Sequence, residues 1–234
     1  MQRRCTRDLW CFAGTGILSI VFFNYCYFKA ITITSLSVAA VLLYTAPAIV
    51  MILSAILFRE KITVIKMVSI IITFLGCGLV TGVVGVTDSL SIKGILVGLG
   101  AGLGYALYSI FSRFALERGY CPLTITFYTF LFAMLGTIPL SDRGVVTDKC
   151  SDMKTLAFCL IFGLLSTVIP YIVYTLGLKE MENSRASIIA SIEPVTATIL
   201  GVAAYGEALS PQQIIGVVLV MGAIVICNKH STNE

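Results

Sequence analysis

Charge is scarce in this chain. Only 12% of its 234 residues are Asp, Glu, Lys or Arg, against about 25% in an ordinary soluble domain. Hydrophobic residues make up 58%, more apolar surface than a water-soluble fold of this length could cover, so the surrounding solvent is a lipid bilayer. Histidine is scarcer still: one residue, His230, in the polar tail. His-based triads and histidine metal centres are thereby left without their central group. With no HExxH motif and no plausible nucleophile–base pair, no enzymatic role, no cofactor and no metal are expected. The eight cysteines (Cys5, Cys11, Cys26, Cys77, Cys121, Cys150, Cys159, Cys227) form no CxxC pair. Most lie in or beside apolar runs, where Cys acts as a small hydrophobe. The net charge of +4 comes in short basic clusters between apolar runs. That suits anionic headgroups at helix ends, not nucleic acid, which asks for a continuous basic face.

What is present is a series of long apolar runs. Crossing about 30 Å of hydrocarbon takes about 20 residues of helix. Eight stretches meet that need: 9–28, 35–58, 64–86, 92–112, 121–140, 156–178, 185–206 and 211–228. Only the loop at 141–155 is an appreciable polar excursion. The expected fold is all-α and integral to the membrane, with eight transmembrane helices. Scoring alternate loops with the N-terminus inside puts eleven basic residues on that side (Arg3, Arg4, Arg7, Arg59, Lys61, Lys66, Arg113, Arg118, Lys179, Arg185, Lys229). Five fall outside (Lys29, Lys93, Arg143, Lys149, Lys154). Both termini are therefore expected in the cytoplasm, with the chain in the cell membrane. A basic start before an apolar run also fits a signal peptide, but no small-residue cleavage site follows Phe28.

The chain also repeats itself. An offset of 147 residues aligns 9–82 with 156–229 without a gap. Gly16-Ile-Leu-Ser19 falls on Gly163-Leu-Leu-Ser166, Tyr27 on Tyr174, Ser37 on Ser184, Pro47 on Pro194 and Glu60 on Glu207. Leu and Ala matches come cheaply between membrane segments. A Pro inside a span, followed thirteen residues later by a Glu at its end, does not. Two further spans separate the copies, so the full unit has five and its second copy enters from the opposite face. The expected plan is an inverted repeat, 3 + 5 helices of a 5 + 5 design, with a partial first repeat at 1–88 and a complete second one at 89–234. Such repeats around a midplane site are common in secondary transporters.

Tyr44-Thr-Ala-Pro-Ala48 followed by Phe58-Arg-Glu-Lys-Ile-Thr63 resembles the first-repeat signature of EamA-type transporters in the drug/metabolite transporter superfamily. Ser191-Ile-Glu-Pro-Val195, then Tyr205-Gly-Glu-Ala-Leu-Ser-Pro-Gln-Gln-Ile-Ile-Gly216, resembles the second-repeat signature more strongly. The resemblance runs from about Leu9 to Asn228. It implies ten helices around a central cavity and transport of amino acids, other metabolites or toxic compounds, often coupled to an ion gradient. The chain departs from that plan by lacking the first two helices, and Met1-Gln-Arg-Arg-Cys-Thr-Arg7 resembles the loop that would follow them.

Candidate site residues come from the spans themselves. Glu193 is the one acid deep inside an apolar run; there it must be protonated, paired or facing water, which suits proton coupling or a substrate amine. The alternative is a protonated carboxyl bonded to a neighbouring helix. Pro194 and Pro47 would free the carbonyls of Ala190 and Leu43, making an ion or amine ligand and a hinge, or simply a static kink. Ser187 and Ser191, with Ser184, Pro194 and Thr198, form one face of the seventh span; Tyr44 and Pro47 lie on the matching face of the second. Such a stripe lines a polar cavity or packs helices closely. Tyr105 and Tyr108 on the fourth span, and Tyr171 and Tyr174 at the end of the sixth, could stack a substrate, whereas tyrosines near span ends also form interfacial belts. Gly94, Gly98 and Gly102, with Gly100 and Gly104, are small-residue faces for close helix packing, a homodimer contact being the alternative use. Glu60 and Glu207 are read as complementing the positive ends of the helices capped by Thr63 and Ser210.

The expected function is therefore secondary transport, by alternating access and as an exporter, of small organic metabolites such as amino acids or drugs. Its partners would be that small-molecule substrate, a coupling ion and the bilayer, without nucleic acid. The competing expectation is a non-transporting membrane subunit or relic that needs another chain to complete its cavity.

Overall fold

The computed structural model describes residues 8–82, 91–141, 144, 152–206 and 208–229. Glu207, Cys5, Cys150, His230, Arg3, Arg4, Arg7, Arg143, Lys149 and most of the 141–155 loop lie outside the described residues. The described chain is helical, with no strand among the described residues. We number its rods α1 (Leu9–Ile33), α2 (Leu36–Phe58), α3 (Val64–Val80), α4 (Ile92–Glu117), α5 (Pro122–Leu140), α6 (Met153–Glu180), α7 (Asn183–Tyr205) and α8 (Pro211–Lys229). Seven are long and apolar enough to cross a bilayer; α3, a shorter apolar helix, is the eighth. Helix is the form such runs must take, because hydrocarbon offers the backbone no hydrogen-bond partner. Side chains cap the helix starts, at the expected Thr63 and Ser210 and at others that the sequence did not single out. Ser35, Thr63 and Ser91 accept from the backbone N–H groups of Val38, Lys66 and Gly94. Ser210 and Gln213 close a reciprocal capping box before α8. Asp152 caps α6, and its bonds from the Thr155 hydroxyl and from the backbone of Thr155 and Lys154 hold its carboxyl below the usual range.

The 147-residue repeat is written into the backbone at three matched places. α1 carries a π-helical stretch at Gly14–Val21 and α6 one at Leu164–Val168, both ending on aligned residues. α2 breaks at Tyr44-Thr45 and α7 at Ser191-Ile192, again aligned. α2 ends on Arg59 with φ of 57° and α7 on Gly206 with φ of 68°, both left-handed. The breaks revise the expected proline kinks. Pro47 and Pro194 sit in the first turn of the resumed half-helices Ala46–Phe58 and Glu193–Tyr205. There a missing N–H costs nothing, and the preceding turn tightens to i→i−3 bonds such as Thr45 N–H to Leu42 and Ser191 N–H to Ile188.

α4 is the central post. Its Gly94, Gly98 and Gly102 lie against Ile33, Thr34, Leu42 and Thr45, and Gly104 lies against the backbone of Phe23. A Cβ at Gly102 would stand 2.6 Å from the Thr45 hydroxyl, and one at Gly104 would stand 2.9 Å from Phe23 Cα. The small-residue faces are thus used for packing inside the chain, not left for a homodimer. α3 crosses α8 where Gly76 and Gly216 meet, each against the other's carbonyl. Around that crossing Ile70, Cys77, Ile188, Val195, Val220 and Ile224 form one core. α1, α4 and α5 close a second around Cys11, Phe12, Ala115 and Ile125.

Candidate functional site

Between α1, α4, α6 and α7 lies a cavity of about 520 Å³. Its walls are Ser19, Phe23, Tyr27, Leu43, Tyr105, Tyr108, Ser166, Pro170, Tyr171, Tyr174 and Glu193. The repeat explains why these residues converge. Ser19, Phe23 and Tyr27 step by four along α1, which puts them on one face. The aligned Ser166, Pro170 and Tyr174 do the same on α6. The two inner faces of matched helices look at each other across the cavity. A recess of about 10 Å³, room for at most a single water, adjoins it and is lined by Leu43, Tyr44, Ala46, Pro47, Tyr105, Ser187, Ala190, Ser191 and Glu193. The recess lies where the broken helices α2 and α7 meet. Leu43 and Ala190, each four residues before one of the two prolines, both border it.

Seven of the eight expected site residues line one space or both. Glu193, Tyr105 and Tyr171 border the cavity; Tyr44, Pro47, Ser187 and Ser191 border the recess, with Tyr105 and Glu193 common to both. Pro194 is buried and lines neither, so it frames the site without facing it. Glu193 is solvent-exposed within the cavity, which satisfies the requirement that an intramembrane carboxylate face water, a partner or a proton. Tyr108 and Tyr174, named with Tyr105 and Tyr171 as stacking or belt residues, also border the cavity; Phe23, Tyr27, Ser19 and Ser166 were not singled out as site residues from the sequence. The signal was present in the repeat, where Ser19 matches Ser166 and Tyr27 matches Tyr174, but helix-end aromatics also read as belt residues.

The aromatic walls are ordered by ring packing. Tyr108 meets Tyr171 edge-on with centroids 4.7 Å apart, and Phe23 meets Tyr105 at 6.0 Å and Tyr27 at 5.5 Å. Toward the end of the bundle that holds Glu60, a ladder of polar contacts closes the cavity. Tyr108 bonds Thr175 at 2.6 Å and Tyr174 bonds Ser109 at 2.8 Å. Further out, Arg113 donates to the carbonyls of Leu178 at 2.9 Å and Met181 at 3.1 Å. Lys66 pairs with Glu182 and donates to the Lys61 carbonyl. Glu60 was expected to serve the helix that follows it, and the structure corrects this. Its carboxylate accepts from the backbone N–H of Asn183 and Ser184 and from the Ser184 hydroxyl, so it caps α7. Beyond this seal opens a polar vestibule of about 440 Å³ with Lys66, Arg113, Lys179 and Arg185 in its wall.

A cavity between matched helices, bordered by paired helix breaks, meets in this chain the sequence profile of the EamA-like transporter family, which matches residues 2–82 and 92–229. The chain belongs to the EamA-like transporter family. As a member it is a multi-pass membrane transporter, acting on a small-molecule substrate in a lipid environment. Among its relatives are two uncharacterized transporters of Archaeoglobus fulgidus. One is 29% identical over 90% of this chain and 75% of its own length; the other is 31% identical over 84% and 69%. The threonine/homoserine exporter RhtA of Escherichia coli is 26% identical, over 89% of this chain and 66% of its own length. A solved crystal structure superposes with a TM-score of 0.78 over 97% of this chain and 80% of that one; at 17% identity the likeness shows the fold alone.

Proposed function

We propose that this EamA-like transporter is a secondary transporter that exports a small organic metabolite across the cell membrane by alternating access. The carrying observation is the midplane cavity between the inner faces of matched helices, sealed by a polar ladder at one end. We take the sealed end, with its basic vestibule, as cytoplasmic, in keeping with the eleven-to-five distribution of Lys and Arg. Both termini then lie in the cytoplasm and the structure is a state closed to it. The unit at 1–88 and the unit at 89–234 are the halves that rock about the paired breaks in α2 and α7. Export is the direction named for RhtA, and it is carried over here as part of the proposal.

Glu193 is assigned the coupling role because it borders both spaces. The titratable groups within its electrostatic reach are Tyr27, Tyr44, Tyr105, Tyr171 and Cys77. Phenols and a thiol are neutral at physiological pH by their ordinary chemistry, so the carboxylate exchanges a proton with no fixed cation to hold it ionised. Transport into proteoliposomes, followed with and without an imposed pH gradient for a panel of amino acids and amines, tests the reading. Gradient-driven uptake that disappears in Glu193→Gln is expected; an unaltered pH response in that variant removes Glu193 from coupling.

One observation favours a second reading. In the most apolar window of α6 no residue is buried, and α7 beyond Val195 is largely exposed. A membrane subunit whose cavity wall is completed by another polypeptide would present such a face. The mass of the purified particle in detergent, and transport by the chain alone, distinguish the two.

A further inference from the structure

The cavity wall carries one group able to hold a full charge at neutral pH, and that group is a carboxylate. Among the described residues no Lys or Arg borders it; in the vestibule beyond the polar ladder, by contrast, Lys66, Arg113, Lys179 and Arg185 are gathered, with Glu180 and Glu182 beside them. The rest of the wall is largely aromatic, from Phe23, Tyr27, Tyr105, Tyr108, Tyr171 and Tyr174. The edge-on contact of Tyr108 with Tyr171, with ring planes at 84°, turns different ring faces and edges toward the same space. The repeat adds an asymmetry. The position aligned with Glu193 is Ala46, so the first repeat contributes a methyl group where the second contributes a charge. One carboxylate beside a cluster of π-systems is complementary to a single positive charge, attracted by the acid and by ring quadrupoles alike.

Resting on the transport reading above, we propose that the cavity takes a monovalent organic cation: an ammonium on an aromatic or aliphatic body that carries no carboxylate of its own. A zwitterion meets this wall badly. Its ammonium finds Glu193, but its carboxylate then sits beside a like charge with no cation in the wall to pair it, and such a like-charge juxtaposition is disfavoured. Threonine and homoserine, the substrates in the name of the Escherichia coli relative, both bring that carboxylate. The volume of about 520 Å³ also lies in the range that encloses drug-sized ligands, well beyond what a four-carbon amino acid fills.

Three molecules with one body separate the charges. Phenethylamine has the ammonium alone, L-phenylalanine has ammonium and carboxylate, and 3-phenylpropionate has the carboxylate alone. Binding to the purified full chain by calorimetry, and uptake in proteoliposomes, are measured for each and for L-threonine. Phenethylamine is expected to bind and move, L-phenylalanine to bind at least about tenfold more weakly, and 3-phenylpropionate not to bind. Glu193→Gln should weaken phenethylamine by about a hundredfold, while Glu193→Asp, which keeps the charge, retains binding and shows that the site is folded. Tyr171→Ala should lose about tenfold and Tyr171→Phe little. Uptake of L-threonine or L-phenylalanine with exclusion of phenethylamine overturns the substrate class and leaves the transporter reading standing. Binding of phenethylamine that is indifferent to Glu193→Gln overturns the proposal as well. If nothing in the panel binds or moves, this proposal and the transport reading fall together.

Discussion

The carboxylate of Glu60, at the end of α2, accepts the backbone N–H of Asn183 at 2.8 Å and the hydroxyl of Ser184 at 2.7 Å, more than a hundred residues away at the start of α7. Glu182, the residue before that helix, supplies no cap of its own. The free N–H groups of α7 therefore depend on a side chain from the other repeat, and the cap doubles as a tie across the sealed end.

Removing that tie has two consequences. Glu60→Ala should destabilise the protein by about 2 kcal/mol, the sum expected of a lost helix cap and its charge-assisted bonds, and Glu60→Gln by roughly half as much because one acceptor oxygen remains. A melt in detergent measures the loss. The same variant should speed labelling of a cysteine placed at Ser187 by a reagent added from the sealed side, since Ser187 borders the recess behind it. An unchanged melt with unchanged labelling would show that the cap carries no weight.

Arg59 and Gly206 end their helices in the same left-handed conformation, yet only glycine adopts it without cost. A residue with a Cβ pays about 1 kcal/mol there. Arg59→Gly is accordingly expected to raise stability by up to about 1 kcal/mol, and Gly206→Ala to lower it by a similar amount. Paired melts of the two variants against the parent chain decide it; a loss of stability in Arg59→Gly would mean that the arginine side chain holds the end of α2.

Much of this architecture is legible in the sequence because lipid makes the code simple. The run lengths gave all eight rods, and the aligned Pro47 and Pro194 pointed to the places where α2 and α7 break. What the prolines could not reveal is whether the helix bends through them or stops and restarts, because that depends on the Tyr44-Thr45 and Ser191-Ile192 turns that precede them. The third rod ends at Val80, where Thr81 and Gly82, with φ of 70°, turn the chain; the rest of the expected run, to Val86, lies outside the described residues. Glu193, Tyr105 and Tyr171 stood out by chemistry. Tyr174 was legible only as a stacking or belt residue and Tyr27 only as its partner in the repeat, since a tyrosine toward a helix end serves a cavity or a headgroup layer equally well, and only the facing of α1 and α6 separates the two. Glu60 misled for a related reason: its nearest helix N-terminus in sequence is α3, while its nearest in space is α7.

The two copies of the repeat also differ, and a pair of glycines exposes the difference. A Cβ on Gly16 would stand 2.6 Å from the Thr129 carbonyl oxygen and 2.8 Å from Ala133 N, whereas one on the aligned Gly163 meets nothing within 4 Å. Gly16→Ala is expected to force α1 off α5 at a cost of about 1–3 kcal/mol, straining the buried Thr129–Thr15 hydroxyl bond nearby. Gly163→Ala should gain about 0.5–1 kcal/mol from helix propensity alone. Equal effects at the two sites would mean that the open face of α6 is covered in the purified protein.

The polar ladder offers a sharper test of how the cavity is closed. Arg113 Nη1 satisfies two carbonyls at the C-terminal end of α6, a geometry in which a planar cation at a helix C-terminus is favoured by both hydrogen bonds and the helix dipole. Both bonds leave from one nitrogen, so lysine keeps the charge and has donors enough, but its shorter, non-planar head does not reach the place that Nη1 occupies. Arg113→Lys should therefore leave the fold within about 1 kcal/mol of the parent while loosening the end of α6. That loosening is read as faster labelling of a cysteine at Ser109 from the vestibule side, in the membrane-reconstituted protein. Arg113→Ala should open the same position further and lower stability as well, because the Leu178 and Met181 carbonyls lose their partner. If Ser109→Cys reacts equally slowly in all three backgrounds, the seal lies with the Tyr108–Thr175 contact and the Tyr174 hydroxyl, and Tyr174→Phe becomes the variant that should open it.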